Sequence, residues 1–152
     1  MDKLKWFSGT WSCEGQFAGG MGMPAHPTKA RVTTKSDLDG FFYSVRYEEE
    51  KTKDNPMPYR GAGFWGYDRE TKKYTSIWAD NMGGGAPQTS AGWEGDKLVF
   101  SGDATMMGKK MGVRDTFTRK GDNELVHMGE MQMDGKWSKM SEETCKKSAG
   151  MR

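Results

Sequence analysis

Turn chemistry interrupts this chain roughly every 8–12 residues, and that rhythm constrains the fold more than any other feature of the sequence. Gly19-Gly20 through Pro27 make a long first loop, and Asp39-Gly40 reads as a two-residue hairpin turn because both residue types tolerate positive φ. Further breaks fall at Asp54 to Pro58, Asp68 to Lys72, Gly83 to Pro87, Gly95-Asp96, Met106 to Lys110, Gly121 to Asn123 and Asp134-Gly135. Between them residues alternate with period two, which predicts strands near 10–18, 29–38, 41–51, 59–67, 73–82, 88–94, 97–104, 111–120, 124–133 and 136–146. Phe41, Tyr43, Val45 and Tyr47 share one strand face, with Ser44, Arg46 and Glu48 on the other. Trp65 falls with Tyr67, and Tyr74 with Trp78 and Asp80, while Trp93, Leu98 and Phe100 extend the aromatic series. Only the first residues suggest a helical turn, with Leu4 and Phe7 spaced i, i+3 ahead of Ser8-Gly9.

Consecutive hairpins with almost no long crossover favour a meander, and closing it removes exposed edge strands. The expected fold is therefore all-β: a single antiparallel up-and-down barrel of about ten strands over residues 1–147, a short N-terminal helical turn, and a tail at 148–152. A ten-stranded barrel is wider than packed side chains alone require, so a ligand cavity is expected.

Composition says what would line it. Leu, Ile, Val and Phe number only 17, whereas Met, Trp, Tyr and Phe together number 31, too many large apolar side chains for a disordered chain. The expected lining is aromatic and methionine-rich, suited to a small apolar or aromatic molecule. A net charge of +2 argues against a dedicated nucleic-acid surface, and no apolar run is long enough to span a membrane. The runs Glu48-Glu49-Glu50 and Lys109-Lys110 read as solvated strand ends. Met1 to Trp6 lacks the apolar core of a signal peptide, which implies a cytoplasmic protein, or an exported one whose leader has been removed. Two cysteines, Cys13 and Cys145, lie near opposite ends of the chain without zinc-ligand spacing. The first expectation is two separate buried thiols. Barrel closure would set the first strand beside the last, so a cross-strand disulfide or merely packed thiols are the alternatives.

Two stretches carry a family likeness. One is Leu4-x-x-Phe7-x-Gly9-Thr10-Trp11-x-x-Glu14-Gly15. The other is Gly61-x-Gly63-x-x-Gly66-Tyr67-Asp68, followed by Tyr74, Trp78, Asp80, Met82, Gly92, Arg114 and Gly135. Over nearly the whole length the chain resembles the mainly bacterial family called domain of unknown function 1579. The Gly-Thr-Trp opening is also similar to calycin barrels, which include lipocalins and haem-binding nitrobindins. That resemblance implies that Trp11 closes one end of the barrel against a basic residue of the last strand, here Lys146 or Lys147.

Gly61-Ala62-Gly63-Phe64-Trp65-Gly66 matches the dinucleotide pattern GxGxxG, but a hairpin turn follows instead of the helix that pattern requires. The glycines are better read as room for large rings beside a crowded strand. Trp78 and Asp80 share a face, and Arg114 is a candidate partner for that carboxylate. In His127-Met128-Gly129-Glu130-Met131-Gln132-Met133 the imidazole shares a face with Met131 and Met133, an arrangement that with Cys13 could hold Cu(I). Met106, Met107 and Met111 form a second group, although methionine clusters also arise from composition alone. His127 is the best axial ligand if haem were bound, and His26 looks unstructured or rim-facing. No nucleophile–base arrangement is apparent. The reading that follows is a small-molecule carrier with Trp65, Tyr67, Trp78 and Trp93 as stacking surfaces and Asp80, Arg114 and His127 as polar anchors. It requires no cofactor, nucleic acid or membrane span, and it is compatible with a homodimer. Alternatives are an isomerase or cyclase using Asp80 and Arg114, and a haem protein.

Overall fold

The structure is a computed structural model that describes residues 1–20, 23–106 and 108–148. The chain begins with a 3-10 turn at Asp2–Phe7, whose three-residue period puts Leu4 and Phe7 on one edge, both buried. Eleven strands follow: β1 (Gly9–Phe17), β2 (His26–Asp37), β3 (Phe42–Glu49), β4 (Arg60–Asp68), β5 (Lys73–Asp80), β6 (Gly85–Ser90), β7 (Trp93–Glu94), β8 (Lys97–Met106), β9 (Lys109–Arg119), β10 (Glu124–Met133) and β11 (Lys136–Lys147). All pairings are antiparallel. Sequence neighbours pair in order from β1 to β6 and from β7 to β11, β1 pairs with β11, and β6 meets β8 at Thr89 and Ser101. The result is a closed barrel of ten strands with β7 outside it. Among the described residues no helix is long and apolar enough to cross a membrane.

Several expectations change in detail. The strand expected over 88–94 breaks at Gly92, whose φ of +108° turns the chain away, so Trp93 leaves the barrel wall for the short β7 hairpin. The Asp39-Gly40 turn is a 3-10 turn in which Leu38, Asp39 and Gly40 all have positive φ. Cys13 and Cys145 are not separate thiols. Directly opposed across β1 and β11 with Cα atoms 4.0 Å apart, they form a disulfide that staples the seam where the two ends of the chain meet. Only part of the expected methionine lining is seen: Met131 is buried on the inward row opposite Val113, with the half-buried Met111 on the same face of β9. Met131 is the one methionine in the core among the described residues, while Met57, Met82 and Met133 are exposed. Met107 and residues 149–152 lie outside the described residues.

The register divides the interior into two ends. The first holds the starts of β1, β3, β5 and β8 with the ends of β4, β9 and β11, and it carries Trp11, Tyr43, Trp65, Tyr74, Leu98, Phe100 and Cys145. The 3-10 turn caps it with Leu4 and Phe7. At the second end two cross-strand rows run side by side. One is Phe117, His127, Glu143, Gly15, Thr28, and the other is Asp115, Gly129, Ser141, Phe17, His26.

Candidate functional site

The capped end is filled by its own rings. Trp65 stacks on Phe100 at 5.3 Å between centroids and meets Phe7 and Phe117 edge-on at 5.0 and 5.4 Å. Phe7 stacks in turn on Trp93 at 5.7 Å. The indole N–H groups are spent locally: Trp11 donates to the Phe7 carbonyl at 2.8 Å and Trp93 to the Lys3 carbonyl at 2.9 Å. Lys147 donates to the Trp6 carbonyl at 2.8 Å with its ammonium 5.0 Å from the Trp11 ring, so Lys147, rather than the exposed Lys146, meets Trp11. Burial and the neighbouring Arg119 hold the Lys147 pKa below its ordinary value.

The opposite end is polar inside. His127 Nε2 donates to Asp115 Oδ1 at 2.7 Å, and Gln88 donates to the other carboxylate oxygen at 3.0 Å. Phe117 lies flat on the imidazole, 4.6 Å away and within 10° of parallel. Burial pushes the Asp115 pKa up, but the hydrogen bond and charge of His127, with the Gln88 amide, outweigh it and hold the carboxyl below its usual range. Burial lowers His127, and the Asp115 contact with the Glu143 charge more than reverses that, so the imidazole is raised. Both shifts come from the same contact, which favours a protonated imidazole beside an ionised carboxylate.

Tyr47 donates to Glu143 Oε1 at 2.6 Å. Burial raises Glu143 against the opposing Tyr47 bond and His127 charge, and Glu49 adds to the rise. The Tyr47 hydroxyl is raised too, by burial and then by the Glu143 charge. Beside it Tyr59 donates to Asp80 Oδ2 at 3.0 Å and accepts from Trp78 Nε1 at 2.9 Å; burial raises this phenol against the Trp78 bond, with the Asp80 charge adding to the rise. The backbone N–H groups of Met82 and Gly84 hold Asp80 Oδ1 at 3.0 and 2.8 Å. Three buried polar atoms in this half have no hydrogen-bond partner: Glu143 Oε2, Thr28 Oγ1 and His26 Nε2, on residues 4%, 6% and 5% exposed.

The expected site residues separate accordingly. Trp78 and Asp80 are joined through Tyr59 in the polar half, where His127 pairs separately with Asp115. Trp65 and Trp93 belong to the ring-filled end, and Tyr67 lies on its rim, half-exposed against Tyr74. The Asp80–Arg114 pair does not form. Arg114 alternates with the inward Asp115, faces outward, forks onto Glu130 at 2.9 and 3.0 Å, and lies 4.1 Å over Trp137. His26 is neither unstructured nor at the rim: it opens β2, buried, with Nδ1 2.9 Å from the Pro24 carbonyl. Glu49 is not solvated but buried, bonded to the Asn55 amide and 3.5 Å from His26.

The glycine motif does make room for rings. A Cβ on Gly61 or Gly63 would strike the Trp78 indole at 2.2 or 2.9 Å, and one on Gly66 would strike Phe42 at 2.6 Å. The Cu(I) arrangement loses Cys13 to the disulfide and Met133 to the exposed rim. Among the described residues no group of three or more His, Cys, Asp or Glu side chains is placed to hold a metal ion. Nor does His127 suit a haem iron, because Asp115 takes Nε2, Phe117 covers one ring face, and Trp65 and Phe100 fill the aromatic space beyond.

Sequence reasoning misses Asp115, Glu143, Tyr47, Tyr59 and Gln88 as site residues. Most of them carry a signal: Met111, Val113 and Phe117 place Asp115, not Arg114, on the apolar face of its strand, Cys145 shares a face with Glu143, and Tyr47 shares one with Tyr43 and Val45. Tyr59, just ahead of β4, opens the strand expected over 59–67 in phase with Trp65 and Tyr67, a weaker signal.

Comparison with solved structures finds the same architecture at low identity. The crystal structure of Rv2717c from M. tuberculosis is 12% identical, with 97% of this chain and 96% of that one covered and a TM-score of 0.75. A de novo designed fluorescence-activating β-barrel is also 12% identical over 97% and 99% of the two chains, with a TM-score of 0.51. Comparison with the curated proteins finds no match. The pattern of the family described as "Protein of unknown function (DUF1579)" matches residues 2–147, and the chain belongs to that family.

Proposed function

We propose that this protein is a small-molecule-binding barrel of calycin type whose binding site is the polar half of the lumen. One observation carries the reading. His127 and Asp115 point into a closed barrel, yet their side chains keep 23% and 33% of their accessibility, as they would lining a wet space and not a packed core. Trp78, Asp80 and His127, joined by Tyr47, Tyr59, Asp115 and Glu143, are the binding residues of this proposal. Trp78 lies over Gly61 and Gly63 and offers its other face to the flat, largely apolar body of a ligand. The unpartnered Glu143, Thr28 and His26 atoms would meet its polar end. The Cys13–Cys145 bridge supports the exported alternative, since such bonds persist in oxidising compartments.

Native mass spectrometry of protein from its own host tests the reading. The expected wild-type mass exceeds that of the chain by one small molecule, which the His127→Gln variant loses. A mass equal to the bare chain, together with no aromatic fragment shifting the NMR signals of His127 and Trp78, ends the proposal.

The His127–Asp115 pair favours one second reading, acid–base turnover of the bound molecule, because an oriented imidazole with a raised pKa is equipped to pass a proton. Turnover lost in His127→Gln even at ligand concentrations that saturate the variant supports it; binding without turnover in the wild type removes it.

A further inference from the structure

The polar half of the barrel interior is acidic and aromatic, and among the described residues it contains no lysine or arginine. Of those two types only Arg114, Arg119 and Lys147 escape full exposure among the described residues. Arg114 is on the outer wall, and the other two pack on Trp6 at the capped end. Inside the polar half stand four carboxylates, Glu49, Asp80, Asp115 and Glu143, of which Asp115 is bonded to His127 and Glu49 faces His26 at 3.5 Å, leaving Asp80 and Glu143 without an ion-pair partner among the described residues. Around them lie three electron-rich rings, Tyr47 and Tyr59 with centroids 5.7 Å apart and Trp78 bonded to Tyr59. The unpartnered buried atoms Glu143 Oε2 and Thr28 Oγ1 both accept hydrogen bonds, and they flank Gly15, which places no side chain between them.

We propose that the ligand of this lumen is a small organic cation, a primary amine on a flat aromatic or apolar body, its ammonium held by Glu143 and its body by Trp78 and the two tyrosines. This rests on the lumen being the binding site. An ammonium brings three donors and no acceptor, which suits a chamber whose free buried oxygens await donors, and ring faces attract cations. A carboxylate ligand would meet like charge on several sides and find no guanidinium or ammonium to receive it.

Three probes with one body and different heads separate the two claims: phenethylamine, phenethyl alcohol and phenylacetate, titrated against the full chain by NMR or calorimetry. The amine is expected to bind at least about tenfold more tightly than the alcohol, with phenylacetate weakest. Glu143→Gln should erase that preference, whereas Glu142→Gln, on the exposed side of the same strand, should leave it intact. Alcohol or phenylacetate binding as well as the amine, with shifts at His127 and Trp78, overturns the cation assignment and keeps the lumen. Absence of binding by all three overturns the lumen reading itself. Should Glu143→Gln fold poorly, Tyr59→Phe and raised salt give the same readout: both must weaken the amine more than the alcohol.

Discussion

The two ends of this barrel are built from the same strands and solve opposite problems. At the capped end every second residue of a strand delivers a ring or an aliphatic group, and the 3-10 turn closes over them, so Leu4, Leu98, Phe100 and Trp11 lose essentially all contact with solvent. At the open end the same alternation delivers Asp115, His127, Glu143 and Tyr47, which must bond one another because burying them singly would cost several kcal/mol each. A strand therefore changes character along its length. In β9, Phe117 sits at the boundary, edge-on to Trp65 and flat on His127, while Asp115, two residues earlier, lies fully in the polar end. Apolar burial is concentrated at the first end and side-chain hydrogen bonding at the second.

That division can be broken by mutation. Trp65→Ala removes the ring shared by Phe7, Phe100 and Phe117, and it should cost about 3–5 kcal/mol in urea unfolding while the NMR signals of His127 stay in place. Comparable destabilisation from Trp78→Ala would erase the distinction. Replacing both Cys13 and Cys145 by Ala releases a seam that spans 132 residues of chain and should cost about 2–4 kcal/mol, read from the same unfolding curves. Gly61→Ala drives a methyl into the Trp78 indole and should cost about 1–3 kcal/mol, with loss of the Trp78–Tyr59 bond visible in the indole N–H resonance.

The smallest effects belong to the titrating groups. Glu143 and His127 are both raised in the folded protein. A raised group supports folding below its unfolded pKa and loses that support as pH climbs through its folded one. From the ordinary values of 4.5 and 6.5 upward, stability should therefore decline as pH rises. Asp115 is lowered and works in the other direction, its support appearing above the ordinary 3.8 and failing as pH falls through its folded value. Thermal melts should show a maximum in weakly acidic solution. Glu143→Gln should flatten the alkaline decline and leave the melting temperature near neutrality unchanged or slightly higher. A flat wild-type profile would mean that the open half is no more strained electrostatically than the capped one.

Much of this is legible in the sequence. The ten-stranded barrel follows from turn residues spaced at strand length, and Leu4 with Phe7 at i, i+3 announces the capping turn. The glycines of GxGxxG are readable as clearance for rings, because a hairpin follows them. Site residues are less legible wherever composition stands in for register. Methionine abundance suggests a thioether lining, yet Met57, Met82 and Met133 end on the rim or outside, since composition says nothing about which face a residue occupies. Arg114 draws attention by its charge, whereas the apolar pattern of its own strand selects Asp115.

By itself the sequence determined the strands, their alternation and the near absence of crossovers, because these follow from local conformational preference and a period of two. Tertiary structure decided what no local rule contains. Closure brought Cys13 against Cys145 and carried the Tyr47 hydroxyl to Glu143, 96 residues away in the chain, while the β4–β5 pairing laid Tyr59 between Trp78 and Asp80. The stagger that comes with closing a sheet on itself selects which distant side chains share a level of the interior, and hence which end became an apolar core and which a polar network.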